Sequence, residues 1–206
     1  LGEDGARAVA GLVAIVRDGN FVGVVSETEN GALDALKALR KGATWSSDAR
    51  LPDEDQLAGF LKAQPSEPTV IDTRTASTTR AAVRTIRRQY PRPYIAHASI
   101  APSCAIVQWT AEDRVHVWTH SQGVYLLRAD LALVLKLPVE NITVEHMEGA
   151  GCYGHNAADD VALDAVLLAK EAQRRPVRVQ WSREDEMSHA PFGAAMAIEI
   201  EPDLDA

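Results

Sequence analysis

Two apolar strand-like runs, Leu12 to Val16 and Phe21 to Val25, alternate with polar chain, and the intervening "RDGN" carries Asp18-Gly19, a hairpin signal. A helical period follows: Ala32, Leu33, Leu36 and Leu39 fall on one stripe that Gly42 closes. From Trp45 to about Pro68 the chain turns polar and proline-bearing, as a connector does, although "EDQLAGFLKA" has the pattern of a short helix. The next stretch is ambiguous. "TTRAAVRTIRRQY" reads as an amphipathic helix, whereas "TVIDTRTAS" alternates with period two as extended chain does.

Beyond Pro93 the pattern sharpens into strand "AIVQWT", turn "AEDR" and strand "VHVWTH". In "SQGVYLLRADLALVLKLP", Val124, Leu127, Leu131, Val134 and Leu135 form one helical face, with Ser121 as a credible N-cap. Strand "NITVEHM" follows, then the glycine loop "EGAGCYGHN". The chain continues with helix "DDVALDAVLLAKEA", capped by Asp159 or Asp160, and strands "VRVQW" and "AMAIEIE". The class is α+β, a mixed α/β arrangement.

Gly149, Gly151 and Gly154 spell G-x-G-x-x-G, the pyrophosphate-binding pattern of dinucleotide folds. The context opposes that use. The preceding strand carries Glu145 and His146, the helix starts only at or after Asn156, and the acid closing the next strand, Glu184, comes 30 residues after Gly154 rather than about 20. A tight glycine turn without a ligand is the plain alternative.

Composition narrows the partners. A formal charge of −8 over 206 residues disfavours nucleic acid and anionic lipid and suits a small or uncharged substrate. Cys104 and Cys152 are too few for a disulfide framework and form no C-x-x-C pair, so they read as buried small apolar residues. No apolar run reaches the roughly 18 residues of a membrane span. Leu1 is not an initiator methionine and the end falls just after a strand pattern, which suggests a segment of a longer protein. No localisation follows from it.

Four stretches in order, "PYIAHASIAPSCA", "VWTHSQGVYLLRADLALVLKLP", "EGAGCYGHNAADD" and "PVRVQWSREDE", resemble the molybdenum-binding large subunit of the molybdenum hydroxylases, the xanthine dehydrogenase and aldehyde oxidase family. Within it the likeness is greatest to the isoquinoline 1-oxidoreductase β-subunit and nicotinate dehydrogenase type of chain. The resemblance implies three parts. Residues 1–45 would be the end of a hammerhead-like α+β domain, 46–68 a connector, and 69–206 the N-terminal part of a molybdopterin-binding domain.

It also implies a site. Ser121-Gln122 matches the pair whose glutamine reaches the oxo side of molybdenum. After Gly149, the run Ala150, Gly151, Cys152, Tyr153 and Gly154 matches a Gly-Gly-Gly-Phe-Gly loop whose backbone amides approach the cofactor, with Tyr153 and Gly154 at the Phe-Gly positions. Cofactor contacts are thus expected at Gln122, Gly151, Cys152, Tyr153 and Gly154, since oriented N–H groups suit anionic oxygen and glycine alone allows both close approach and positive φ. The sequence departs from the family pattern at Ala101 before Pro102, at Ala150 and Cys152, and at His155-Asn156.

The catalytic glutamate of the family would lie downstream, so no catalytic residue is expected in this chain. The resemblance further implies a molybdopterin-type molybdenum cofactor, a small-molecule substrate, a small partner subunit with [2Fe-2S] clusters, and a cytochrome c as possible acceptor. The competing expectation is a noncatalytic interaction or assembly domain that keeps the fold without the metal. Among the remaining polar residues, His97, His120 and His155 read as structural or as proton carriers, and Arg183 to Glu186 as a solvated charged loop. Trp109, Trp118 and Trp181 read as core.

Overall fold

Strands β1 (Leu12–Asp18) and β2 (Phe21–Ser26) form an antiparallel hairpin in which Asp18 pairs with Phe21 across a two-residue turn. Gly19 takes φ +57 there, the left-handed conformation such turns need at their first central position. Helix α1 (Glu29–Gly42) follows, its N-cap Thr28 accepting from the Gly31 amide at 3.1 Å. The computed structural model describes residues 1–47, 51–74, 81–149, 151–154 and 159–205. They divide into two compact units, one of Leu1–Ser46 with Ala96–Pro191 and the other of Ser47–Ile95 with Phe192–Ala206.

The first unit is built on a four-stranded sheet. Strands β3 (Cys104–Ala111) and β4 (Arg114–Thr119) form a hairpin. Helix α2 (Val124–Leu135) crosses over to β5 (Ile142–His146), which lies parallel to β4. Helix α3 (Asp160–Lys170) leads to β6 (Val177–Gln180), antiparallel to β3, and gives the strand order β5-β4-β3-β6. Mixed helix and strand agree with the α+β expectation.

Alternation decides which face of the sheet is covered. Ala105, Val107 and Trp109 of β3 and Val115 and Val117 of β4 are buried and share a core with Leu127 and Leu131 of α2 and with α3. Ala162, Ala165 and Ala169 keep one face of α3 small, so helix and sheet approach closely. The hairpin joins the same core through Val16 and Val25, and a Cβ on Gly23 would stand 2.5 Å from Cδ2 of Leu168.

Several local expectations need correction. Ser121 is not the cap of α2: its Oγ accepts from the Gly123 amide at 3.1 Å, while the cap position is Gly123 itself, without a side-chain bond. Val134 is exposed, because α2 buries only the strip through Leu127 and Leu131. The helix ends at Lys136, at φ 55, with Pro138 following. Asp159 stands at the cap of α3 but makes no side-chain cap bond.

The charged run Arg183 to Glu186 is no solvated loop. It opens helix α4 (Arg183–His189) through a capping box in which Ser182 and Asp185 bond reciprocally. Burial works to raise the Asp185 carboxyl, but the Ser182 hydrogen bonds and the Arg40 charge outweigh it and hold it below the ordinary value. Glu186 turns inward and is buried, accepting from the Ser103 amide at 2.8 Å and from the Ser103 hydroxyl at 3.1 Å.

In the second unit the helical alternative for "TTRAAVRTIRRQY" is excluded over its described part. Arg84–Thr85 and Arg88–Arg92 are extended and pair antiparallel with Asp203–Leu204 and Met196–Ile200. The short helix in "EDQLAGFLKA" is present as Leu57–Ala63. No helix among the described residues is long and apolar enough to cross a membrane.

Candidate functional site

Strands β4 and β5 run the same way, so the segments that leave their C-terminal ends emerge at one edge of the sheet. The Met147 amide donates to the Thr119 carbonyl at 2.8 Å, and Nδ1 of His146 lies 2.9 Å from the Ser121 carbonyl. These bonds bring residues 120–123 beside the glycine loop from Glu148 onward. Gln122 and Cys152, thirty residues apart in sequence, consequently meet: the Cys152 thiol donates to Oε1 of Gln122 at 3.5 Å.

Cys152 is exposed, contrary to the expectation of a buried apolar residue, because the loop lies at the rim and not beneath it. Cys104 is half-buried, and its thiol is raised above the ordinary value by burial, with the Arg178 charge opposing. Gln122, Tyr153 and Gly154 are exposed and Gly151 is partly so. Ala150, His155 and Asn156 lie outside the described residues.

The glycines answer to a physical demand that differs in part from the expected one. Gly151 and Gly154 take φ +100 and +129, where side chains are strained. What a Cβ would meet, however, is the protein's own side chains. At Gly149 it would lie 3.0 Å from Cβ of His120, and at Gly151 it would lie 2.7 Å from the Tyr153 hydroxyl. At Gly154 it would lie 2.7 Å from Cε1 of His97 and nearer still to its Nδ1. Tyr153 therefore folds back over its own loop, and its carbonyl lies 3.4 Å from Nδ1 of His97. A dinucleotide loop is not formed, since α3 begins only at Asp160 and β5 buries Ile142 alone.

Beneath the loop sits His120, buried, its Nε2 accepting from the Cys104 amide at 3.1 Å. Burial lowers its pKa from the ordinary 6.5. The Glu186 and Asp159 charges and the Pro102 backbone act the other way, while His146 adds to the lowering. A depressed folded pKa means that the unfolded chain binds the proton more readily. The contribution of neutral His120 is therefore complete above pH 6.5 and lost as pH falls through the depressed folded value. We expect the melting temperature to drop on going from about pH 7.5 to about pH 5.5, and to drop less in His120→Gln, which keeps an acceptor without a titrating ring. Equal drops in the two proteins would exclude this role.

The face of the sheet turned away from helices α2 and α3 carries a second group of side chains. Ile106, Trp118, Met147 and Glu148 line an open cleft of about 480 Å³ together with Cys104 and His120. Trp118 is not core: it points to this face and stacks on His116, ring centroids 3.9 Å apart, while His116 lies 3.1 Å from the Glu145 carboxylate. Trp109 and Trp181 are buried as expected. The buried place of Glu186 runs against the solvated-loop expectation, although "SRED" spells a capping box in the sequence. Among the described residues no group of three or more His, Cys, Asp or Glu is placed to hold a metal ion directly.

A family model described as the molybdopterin cofactor-binding domain matches residues 66–205. One of the subunits of nicotinate dehydrogenase from Pseudomonas putida is 42% identical over 207 residues, covering 99% of this chain and 17% of the relative. The aldehyde oxidoreductase molybdenum-binding subunit PaoC of Escherichia coli K12 is 34% identical over 107 residues, 51% of this chain and 14% of the relative. The chain thus spans under a fifth of the length of either. Quinoline 2-oxidoreductase from Pseudomonas putida 86 shares the fold, with a TM-score of 0.66 at 16% identity over 99% of this chain and 31% of that one.

Proposed function

The chain belongs to the molybdopterin cofactor-binding domain family, and from that premise we propose that it forms one wall of the cofactor site in a molybdenum-dependent oxidoreductase. The reaction proposed is hydroxylation of an aldehyde or N-heteroaromatic substrate with water-derived oxygen. Nicotinate is the first compound to test, given the 42% identical relative. The observation that carries the proposal is the convergence of Gln122, Cys152 and the loop of Gly151 and Gly154 at the C-terminal edge of the parallel pair.

The residues fit an anionic metal-oxo group. Gln122 offers an exposed carboxamide, and the positive φ of Gly151 and Gly154 suits a loop that turns backbone N–H groups toward a negatively charged oxygen. When bound, the molybdenum group would supply the oxygen transfer and accept the electrons. Gln122 and the amides of residues 151–154 would hold and orient it, with Tyr153 packed over Gly151 to keep the loop in shape. The proton-abstracting carboxylate is assigned in this proposal to a part of the full-length protein outside this wall. The division into residues 1–45, 46–68 and 69–206, a [2Fe-2S] partner subunit and a cytochrome acceptor belong to the same proposal.

Purification of the full-length protein tests it. The expected result is about one molybdenum per chain and reduction of an artificial acceptor with nicotinate or a related heteroaromatic or aldehyde, with an iron-sulfur subunit co-purifying. A full-length protein without molybdenum, and inactive on all of these, would establish the noncatalytic alternative.

A further inference from the structure

We infer that Cys152 is a positioning residue that sets which end of the Gln122 carboxamide faces the cofactor, an inference that rests on the function proposed above. The two ends of a carboxamide are nearly equal in size and opposite in chemistry. Rotation of its terminal torsion exchanges an acceptor for two donors at little steric cost. An exposed glutamine has no packing to choose between them, and Gln122 is exposed.

The thiol supplies the choice. Its S–H donates to Oε1 at 3.5 Å, which commits the oxygen and leaves both N–H groups for another partner. In the exchanged state the sulfur would have to accept from nitrogen, and sulfur is the weaker acceptor. The distinction matters to a negatively charged ligand oxygen, which N–H groups attract and a carbonyl repels.

The backbone explains why a side chain can stand at this point of a glycine loop. Left-handed φ falls on Gly151 and Gly154, whereas Cys152 between them lies outside that region and carries its Cβ without strain. The parallel register of β4 and β5 then brings the thiol to the Ser121-Gln122 turn. Tyr153, the neighbouring large side chain, is turned back over Gly151 and leaves the thiol to reach Gln122.

The test uses the full-length protein carrying Cys152→Ala, Cys152→Ser, Gln122→Ala, and Cys152→Ala with Gln122→Ala. Cys152→Ala should lower kcat about five-fold with KM within about twofold and molybdenum content unchanged, while Cys152→Ser, whose hydroxyl accepts as readily as it donates and so selects neither end, should recover less than about half of the loss. In the Gln122→Ala background Cys152→Ala should have no further effect, because there is no amide left to orient.

A second readout is independent of turnover. In protein stripped of molybdenum, alkylation of Cys152 by iodoacetamide, followed by peptide mapping, should be at least about twofold faster in Gln122→Ala, since the Gln122 side chain then no longer engages the sulfur and limits access to it. Losses that multiply in the double variant, full recovery by serine, or an unchanged alkylation rate would each overturn the inference while leaving the cofactor site standing. Molybdenum missing from the unaltered protein would overturn the functional proposal and the inference with it.

Discussion

Gly154→Val in the full-length protein is expected to lower kcat to below about 1% of the unaltered value and to reduce molybdenum content by more than about half. Gly154 holds φ +129, a backbone region that costs a branched residue about 1–3 kcal/mol. A Cβ there also enters the space of the His97 imidazole, so the residue must move as well as strain. The loop would shift away from Gln122, and with it the amides proposed to hold the cofactor. Gln122→Ala should be milder, because it removes one hydrogen-bonding group of about 1–3 kcal/mol and introduces no collision. Melting temperature, molybdenum content and kcat measured for both variants separate the possibilities. A Gly154→Val protein with normal molybdenum content and unchanged kcat would end the cofactor interpretation of the loop. A large fall in melting temperature with Gln122→Ala fully active would reduce the loop to a structural turn.

Trp109→Ala is expected to be the most damaging core substitution, with a loss of about 3–5 kcal/mol. The indole is buried among the residues that join the sheet to α3, and its Nε1 donates to the Val166 carbonyl at 3.1 Å. Truncation removes a large apolar surface, leaves a cavity that the rigid small-residue face of α3 cannot fill, and deletes that hydrogen bond. For a domain held by roughly 5–15 kcal/mol, the loss approaches the whole margin at the lower end. Trp109→Phe keeps most of the ring and should cost about 1–2 kcal/mol. Urea unfolding of the two variants gives the comparison, and a midpoint for Trp109→Ala equal to that of the unaltered chain would show that this contact does not organise the core.

Local periodicity made much of the fold legible in the sequence. Short apolar runs on either side of Asp18-Gly19, alternation over Val107–Thr110, and a period near 3.6 over Ala32–Leu39 report which side chains can share a face, and that is a property of the adjacent backbone alone. The glycines at positions 151 and 154 were legible for a similar reason, since each answers to a local φ that other residues resist, whereas the Ser121-Gln122 pair stood out only through the family resemblance. Tertiary structure decided whatever depends on a partner distant in the chain. Arg88–Arg92 is extended because Met196–Ile200 pairs with it, and Glu186 is buried because Ser103 offers it two donors. Trp118 faces outward because helices cover only the other side of the sheet. The meeting of Cys152 with Gln122 is of the same kind. Neither residue's neighbours announce it, and the parallel crossover that places two strand ends side by side creates it. Burial and hydrogen bonding are settled by which surface arrives, and a sequence read locally carries only the surface that waits.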